Sequence, residues 1–365
     1  MTAIKYFFYL SIILGWRVGN AQTDSLWNPI PEIKISGFLD IFYAYDFNNP
    51  ETSNRQSFLY NHNRHNEFNL NLGYLKFGVT HPKYRANLAL QAGTYVNDNY
   101  SSEPGILKNI FEANIGISLD KKNNIWLDAG IFGSHIGFES AISMDNWTLT
   151  RSLLAENSPY YLSGAKLTYK PYSKWEFAAL ICNGWQHIQR VKGNSLPSFG
   201  TQIKYTPSEK ITLNWSTFLG TDFEDDVRKM RYFNNFYGQF QVHPNLGLIA
   251  GFDLGSQQHK TGDPQYDQWF SPVIIIKCTL SDKWAAACRA EYYQDKTGII
   301  VATNTENGFK TSGLSLNFDY SPRSNILCRF EGRWLNGQDE IFLVGDRHSK
   351  DNFALVTSIA MKFEK

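Results

Sequence analysis

One stretch of the sequence, "FGSHIGFESAISMDNWTLTRSLL" at 132–154, carries side chains that could do acid–base or nucleophilic chemistry. Its members are a serine, a histidine, two carboxylic acids and an arginine: Ser134, His135, Glu139, Asp145 and Arg151. Hydrolases use these residue types as nucleophile, base and charge stabiliser. The same stretch is the longest interval between two strand-like segments, so it predicts either an active site or a loop with another role.

The spacing argues against an active site. Ser134 and His135 are adjacent, and on a strand adjacent side chains point to opposite faces, so they cannot act as nucleophile and base to each other. A pairing of His135 with Ser143 or Ser152 stays open, but the sequence contains no G-x-S-x-G motif. We therefore expect no catalytic residues and no enzyme, and a barrel-embedded hydrolase is the least favoured alternative.

Composition favours a sheet with one apolar and one wet face. The 365 residues include 10 Trp, 20 Tyr and 26 Phe, yet the mean hydropathy is −0.36. The net charge is +1 and no basic block occurs, which excludes nucleic acid as an expected partner.

The N-terminus predicts export from the cytoplasm. Lys5 precedes the apolar run "YFFYLSIILGW", and small residues follow at Gly19 and Ala21, so residues 1–21 are typical of a cleaved signal peptide. A short segment, 22–31, would then precede the folded domain at 32–365. No later run reaches the roughly 18 apolar residues of a membrane-spanning helix.

Metal and disulfide chemistry find little support. The four cysteines show no metal-ligand spacing, so neither a metal site nor any other cofactor is expected. Calcium at the acidic loop 222–226 remains an alternative to a solvated charge run. A disulfide between Cys278 and Cys288, which flank a tight turn, is also left open.

A period of two dominates the chain from Glu32 to its end. In "TSGLSLNFDYS", Leu314, Leu316 and Phe318 alternate with polar residues, which is typical of a half-buried strand. Sixteen such segments alternate between short Pro/Asn/Asp/Ser-rich turns and longer loops. The short turns are 81–83, 120–124, 171–174, 207–210, 243–245, 281–283 and 321–325. The long loops are 48–66, 97–106, 138–160, 187–197, 222–230, 258–268, 296–309 and 337–351.

This alternation predicts an all-β transmembrane antiparallel up-and-down barrel of about 16 strands, with short periplasmic turns and long extracellular loops. In lipid, only helices and closed barrels pair every backbone group, and helices are excluded here. A propeller and a secreted sandwich are disfavoured because their strands are shorter and their connections do not alternate in this way. The predicted location is the bacterial outer membrane.

Sixteen strands leave an aqueous channel unless something plugs it. The expected function is therefore a porin for passive diffusion of small hydrophilic solutes or ions, weakly selective and anion-leaning at most. Inward parity and loop position predict a charged pore lining: Glu139, Asp145, Arg151, Asp40, Arg85, Asp128, Lys277, Arg289, Glu291, Arg329, Glu331 and Arg333. These charges favour a pore, because a plugged barrel would need paired or apolar fillers. A non-conducting surface or assembly protein, such as an adhesin-like barrel, is the alternative.

Aromatic residues recur near strand ends, as in the belts that membrane barrels carry at both interfaces. The tryptophans predicted for these girdles are Trp126, Trp175, Trp185, Trp284 and Trp334. The partners expected are outer-membrane lipid, small solutes or ions and the barrel-insertion machinery, with monomer and homotrimer both open.

Several motifs resemble one known family. "GIFGSHIGFES", "DNWTLTRSLL", "SGAKLTY" and "ICNGWQ" are similar to the OmpL-like putative β-barrel porin family of Bacteroidota, and the resemblance covers about residues 32–363. It implies an outer-membrane porin and brings no ligand with it. One departure is that Phe363 is followed by Glu364 and Lys365, whereas outer-membrane barrels commonly end on an aromatic residue.

The stretch 132–154 therefore predicts an inward-folded loop and not an active site. Its apolar residues, among them Phe138, Trp147 and Leu149, would be poorly placed in open water. We expect the loop near 138–160 to fold inward against the barrel wall and to narrow the pore, with Glu139, Asp145 and Arg151 facing the lumen or one another.

Overall fold

The structure, a computed structural model, describes residues 29–345 and 347–365, and within them sixteen strands form one closed antiparallel barrel. Each strand pairs with its chain neighbours, and the last strand closes the barrel against the first. The barrel strands are β1 (Glu32–Asp46), β2 (Phe68–Thr80), β3 (Tyr84–Ala92), β4 (Ile110–Ser118), β5 (Ile125–Gly133), β6 (Tyr161–Tyr172), β7 (Trp175–Cys182), β8 (Ser198–Ser208), β9 (Ile211–Gly220), β10 (Arg231–His243), β11 (Leu246–Gln258), β12 (Tyr266–Thr279), β13 (Trp284–Asp295), β14 (Phe309–Arg323), β15 (Ile326–Gly337) and β18 (Asp351–Glu364).

The remaining elements all lie in the long connections. They are the hairpin β16 (Phe342–Val344) and β17 (Arg347–Ser349), the helices α1 (Thr94–Asn99) and α2 (Leu153–Glu156), and 3-10 turns at Gly105–Asn109, Ser143–Asp145 and Asp225–Val227. None of the helices in the described part of the chain is long and apolar enough to cross a membrane. The predicted signal peptide, residues 1–21, lies outside the described residues.

The period-two pattern explains why these segments are strands. In β14, Leu314 and Leu316 are about half exposed on the outer surface, whereas Ser315 and Asn317, which alternate with them, are buried inside. The outer surface of a membrane barrel faces lipid, so the apolar parity points outward and the polar parity inward. The predicted fold class and strand number are confirmed.

Barrel closure brings the two chain ends together. Gly37 of β1 lies opposite Phe363 of β18, and the amide of Ile35 donates to the carbonyl oxygen of Lys365 at 2.9 Å. Closure pairs both edges of each of the sixteen barrel strands, so the barrel itself presents no open strand edge. Both ends of the described chain lie at the end of the barrel that carries the short turns.

The barrel interior contains apolar clusters that the alternation of apolar and polar residues along the strands did not predict. The largest includes Phe58 and Leu153 from the loops together with Phe218, Trp269 and Phe309 from inward-facing strand positions. The loops 47–67 and 134–160 supply these side chains from inside the barrel, so apolar residues on the inner face become buried. The pattern of a single strand cannot reveal this, because the covering residues are distant in sequence.

The four cysteines are free. The β12–β13 hairpin places Cys278 opposite Ala286 and Cys288 opposite Ile276, so the two cysteines are not direct cross-strand partners. The disulfide left open by the sequence is therefore absent.

Candidate functional site

The loop 134–160 leaves β5, enters the barrel and binds the opposite wall. Its backbone amides donate to side chains of β13, β14 and β15: Leu149 to Asn317 (3.0 Å), Thr150 to Glu331 (2.6 Å) and Leu153 to Glu291 (2.6 Å). A loop placed inside a barrel cannot satisfy its backbone groups within a sheet, so wall side chains supply the partners.

Wall arginines make the complementary contacts to loop oxygens. Arg329 donates to the carbonyl oxygens of Ser143 at 2.7 Å and of Thr148 and Asn146 at 3.2 Å each. Arg289 donates to the carbonyl oxygen of Thr150 at 2.6 Å. An arginine carries five donors in a rigid fork, so one side chain can bind several carbonyls of an irregular loop.

The wall charges are also paired with one another. Arg289 lies 3.0 Å from Glu331 and 3.2 Å from Glu291, and Arg333 lies 2.7 Å from Glu291. Arg329 lies 2.8 Å from Asp319. All of these side chains are buried beneath the loop.

This placement corrects the predicted pore lining. Arg289, Glu291, Arg329, Glu331 and Arg333 do face inward, but they anchor the loop and do not line an open lumen. The alternation of the strands placed these five side chains on the inner face of the barrel, as in the structure. The alternation could not show that the loop backbone covers their charges.

Within the loop, Arg151 and Glu139 hold the chain together. Arg151 donates to the carbonyl oxygens of Ser140 and Ala141, each at 2.6 Å, and of Leu149 at 2.8 Å. Glu139 accepts from the amide of Ser152 at 3.2 Å and from its hydroxyl. Burial raises the pKa of the Glu139 carboxyl above its ordinary value. Both residues lie close together, as expected, but they are buried inside the loop.

The motif residues that carry the family resemblance have a structural role here. The side chain of Asn146 accepts from the amide of Ser140 at 2.7 Å and donates to its carbonyl oxygen at 2.8 Å. Trp147 packs against Gly247, where a Cβ atom would lie 2.5 Å from the indole ring. Asp145 is partly exposed at the tip of the loop and pairs with Lys362 of β18. Together these contacts fix the fold of the loop.

Other predicted lining residues form local pairs. Asp40 of β1 contacts Nε2 of His62 at 2.9 Å, which ties the loop 47–67 to the wall. Arg85 binds Asp128 through two hydrogen bonds of 2.6 and 2.7 Å, and its guanidinium lies 4.4 Å from the Trp126 ring centre.

Three inward lysines stand apart from these pairs. Lys204 and Lys277 lie near the short-turn ends of β8 and β12, and Lys166 lies in the middle of β6. Each is partly buried, and none takes part in an ion pair within 4.0 Å in the described part of the chain. All three lie on the inward parity of their strands, and Lys277 is among the residues predicted for the charged pore lining.

The five tryptophans predicted for the aromatic girdles fall into two groups, three that point outward and two that point inward. Trp175, Trp284 and Trp334 point outward and are exposed. Trp126 and Trp185 are contradicted: Trp126 shares the inward parity of Asp128, and Trp185 packs inside against Phe218, Phe233 and Trp269. Strand-end position alone could not separate them, whereas parity could have assigned Trp126. Further outward aromatics lie beside the short turns, namely Tyr172, Tyr205 and Tyr320, and beside the long loops, namely Tyr45, Phe47 and Phe353.

The residues that suggested a hydrolase are dispersed. The Nε2 atom of His135 contacts the carbonyl oxygen of Thr217 at 2.8 Å, and burial lowers the pKa of this imidazole to about 4. Ser134 accepts from the amide of Ile136 at 3.1 Å. Ser152 binds Glu139 and caps α2 by accepting from the amide of Ala155 at 3.2 Å. Each side chain thus has a structural partner.

The acidic loop 222–226, where calcium was the alternative to a solvated charge run, forms ion pairs. Asp222 accepts from Arg231 at 3.0 Å, and Asp225 pairs with Arg228. Among the residues that the structure describes, no group of three or more His, Cys, Asp or Glu side chains could hold a metal ion.

Cavities lie on both sides of the loop 134–160. A vestibule of 990 Å³ opens among the long loops, and a pocket of 300 Å³ that shares Tyr60, Asp98 and Ser101 with it reaches inward to Ser158. A second cavity of 300 Å³ is lined by the next residue, Pro159. Another cavity, of 580 Å³, is lined by Asp145. The end of the loop, at Ser158 and Pro159, therefore separates the vestibule and its adjoining pocket from the second cavity of 300 Å³.

Four tyrosines surround this end of the loop. Tyr100 stacks on Tyr161 with ring centres 3.9 Å apart, and Tyr95 makes edge contacts with Tyr100 at 5.9 Å and with Tyr160 at 5.7 Å. Aromatic edge and stacking contacts stabilise such a group beyond its buried area.

Comparisons with known proteins agree with this architecture. The anion-selective porin of Comamonas acidovorans is similar at 9% identity and a TM-score of 0.62, over 92% of this chain and 100% of that chain. OmpT of Vibrio cholerae is similar at 9% identity and a TM-score of 0.59, over 94% and 99%. The DcaP channel of Acinetobacter baumannii is similar at 13% identity and a TM-score of 0.58, over 91% and 97%. These likenesses show the fold.

The comparison with curated protein sequences finds no match. The profile of the family described as "Putative beta-barrel porin-2, OmpL-like" matches residues 32–363, which is the whole barrel. The chain therefore belongs to this family and is a porin of the outer membrane.

Proposed function

We propose that this porin lets small hydrophilic solutes and ions diffuse passively, and that the loop 134–160 forms its constriction. The observation that carries the proposal is the attachment of this loop to β13, β14 and β15 across the interior of a sixteen-strand barrel. A barrel of this size is wide enough for an aqueous channel. A loop held across it sets the width of the remaining passage.

The unpaired lysines support a weak preference for anions. Lys166, Lys204 and Lys277 face the lumen, whereas the carboxylates of Asp128, Glu291 and Glu331 are each bound to an arginine. Charged groups along a pore select by the sign of the ion, and the effect is strongest where the passage is narrow.

The direct test is the current through purified, folded protein in planar lipid bilayers. We expect a stable single-channel conductance and, under a salt gradient, a reversal potential of the sign that anion preference gives. Repeated absence of conductance from heat-modifiable protein would refute the pore, and strong cation preference would refute the assigned selectivity.

The packing of the interior favours a second candidate, a surface or assembly role without conduction. In the sequence, lumen-facing charges favoured the pore over this candidate, because a plugged barrel would need paired or apolar fillers. In the structure Arg289, Arg329 and Arg333 are paired, and an apolar cluster packs loop residues against inward-facing strand positions. The bilayer measurement separates the two candidates, because only the diffusion pore conducts.

The proposed partners are the solutes themselves, outer-membrane lipid at the outward aromatic girdles and the barrel-insertion machinery. A homotrimer is also proposed, since OmpT of Vibrio cholerae, similar at a TM-score of 0.57, is described in a trimer form. Native mass spectrometry of the porin in mild detergent tests it: a trimer is expected, and a monomer alone would contradict it.

A further inference from the structure

The pocket of 300 Å³ at the long-loop end is built by six connections and the start of β10. We call it the inner pocket; its walls include Tyr60, Asp98, Asn99, Glu156, Asn157, Trp185, Gln186, His187, Asp222 and Arg231. The vestibule and this pocket share Tyr60, Asp98 and Ser101, so a solute entering between the long loops can reach the pocket, whose wall includes the end of the loop 134–160. Its volume is at the lower end of the range of small-molecule sites.

An aromatic platform forms one wall of the inner pocket. The amide of Trp185 donates to Asp222 at 2.9 Å, and Asp222 also accepts from Arg231 at 3.0 Å. The guanidinium of Arg231 lies 5.2 Å from the Trp185 ring centre, which adds a cation–π contact. At Gly184, where φ is +152°, a Cβ atom would lie 2.6 Å from Asp222, so glycine permits this close approach. The indole is thus held in one orientation.

The two aspartates around the platform are each paired with an arginine. Asp222 is bound to Arg231, and Asp98 lies 3.1 Å from Arg64. A site whose charges are already compensated offers little attraction to an ion, and desolvating an ion there would cost free energy. It therefore favours an uncharged polar solute.

One buried acceptor in the wall has no hydrogen-bond partner among the described residues. Glu156 is 2% exposed; its Oε2 atom accepts from the amide of Tyr60 at 2.9 Å, but its Oε1 atom accepts no hydrogen bond from residues 29–345 or 347–365. Burial raises the pKa of this carboxyl to about 7, so it is partly uncharged near neutral pH. A buried acceptor left unpaired costs free energy that a hydroxyl group of a bound solute would recover.

We propose that the inner pocket is a binding site for a neutral, hydroxyl-rich solute of the saccharide class. The apolar C–H face of the sugar ring lies on Trp185, and a sugar hydroxyl donates to Oε1 of Glu156. The amides and hydroxyls of the surrounding loops bind the remaining hydroxyls. This inference rests on the proposed diffusion function and names one class of solute that the channel retains on entry.

The test is calorimetric titration of folded, heat-modifiable porin in detergent with maltotriose, choline chloride and sodium succinate as probes. We expect saturable binding of maltotriose alone. Glu156→Ala should weaken it by roughly tenfold or more, since the acceptor is lost, whereas Glu156→Gln keeps an acceptor oxygen and should retain it. Trp185→Ala should also weaken binding, and Trp334→Ala, which changes an outward tryptophan, serves as the matched control.

Two results would overturn the saccharide site. One is the absence of maltotriose binding, or its replacement by choline or succinate binding. The other is maltotriose binding that Glu156→Ala leaves unchanged, which decides the matter even where Trp185→Ala fails to fold. Salt conductance measured without sugar tests the pore separately, so loss of one proposal is distinguishable from loss of the other.

Discussion

At the scale of single residues, the barrel interior depends on buried charges whose partners lie on the loop 134–160. Glu331 accepts from the amide and the hydroxyl of Thr150 at 2.6 and 2.7 Å, and it pairs with Arg289 at 3.0 Å. A buried ion pair contributes little net stability relative to apolar residues, but removal of one member leaves the other uncompensated. These charges therefore specify the position of the loop more than they stabilise the barrel.

Glu331→Ala should release the loop and destabilise the fold. It removes the acceptor of Thr150 and one partner of Arg289, so we expect a loss of roughly 3–5 kcal/mol in the free energy of unfolding and a larger, noisier conductance. Denaturant unfolding in detergent micelles and single-channel recording measure the two effects. Glu340→Ala, at an exposed loop position, is the control; equal behaviour of both variants would contradict the anchoring role.

The carboxyl of Glu156 predicts a pH effect on the contact between the loops 47–67 and 134–160. Its pKa is raised to about 7 by burial, so the folded state holds its proton over a pH range in which the unfolded state has lost it. The contribution of Glu156 to stability should therefore fall as pH rises from the ordinary glutamate value of 4.5 through about 7, and stay level above that.

Hydrogen exchange of the amides in 134–160 measures this effect between pH 5 and 8, after correction for intrinsic exchange. Protection should decrease across the range in the native chain. In Glu156→Gln, which stays neutral, the decrease should be smaller, and what remains is expected from Glu139, whose carboxyl pKa is also raised by burial. An undiminished decrease in that variant would show that Glu156 is not responsible.

At the scale of elements, the loop 134–160 is itself a small folded unit. Arg151, Asn146 and Glu139 bind its own backbone and side chains, and Ser152 caps the short helix α2. Leu149 packs on Phe42 and Val356 of the wall. Internal hydrogen bonds fold the loop, and wall contacts then place it inside the barrel.

Deletion of residues 141–152 should increase single-channel conductance. The deletion removes Thr150, Arg151 and the backbone oxygens that Arg329 binds, so less chain obstructs the lumen. Removal of 261–264 from the exposed β11–β12 connection is the control and should leave conductance unchanged. Equal conductance of the two deletion variants and the native chain would exclude the loop as the constriction.

At the scale of the whole molecule, the sheet closes into a barrel and its inner face decides which solutes pass. Most inward charges are neutralised by a neighbour, as in the pair of Arg85 and Asp128 at 2.6 Å. The net field of the lumen therefore depends on the few unpaired groups, and a small number of changes should alter it.

Combined substitution of Lys166, Lys204 and Lys277 by glutamate should reverse the ion preference. Each change replaces an unpaired positive charge in the lumen by a negative one, so the reversal potential under a salt gradient should change sign. The control carries the same change in total charge at the exposed turn residues Lys121, Lys122 and Lys283. A reversal potential that shifts equally in both variants would place selectivity outside the lumen.

Much of the barrel could be predicted from the sequence because strand patterns are local. Leu314 and Ser315 take opposite faces through the geometry of the extended backbone, whatever surrounds them. The length of the connections then orders the strands, since short turns join neighbours. The inward folding of a loop was also predictable from apolar residues such as Leu149, which is fully buried.

The partners of the charged residues could not be predicted in this way. Parity placed Arg289 and Arg329 on the inner face, and lumen exposure was inferred from that face alone. Their actual partners, the carbonyl oxygens of Ser143 and Thr150, are backbone atoms more than one hundred positions away. Backbone oxygens carry no sequence signal, so no pattern of side chains identifies them.

The sequence by itself therefore determined the strands, their order and the outward and inward faces, since these follow from local periodicity and from the need to pair every backbone group in lipid. Only the tertiary structure decided which inward groups stay free. Barrel closure brings β5, β13, β14 and β15 around one loop, and that proximity converts Arg289 and Glu331 into buried anchors while Lys277 keeps an unpaired charge. Distances across a closed barrel depend on all sixteen strands at once, and no local segment contains them.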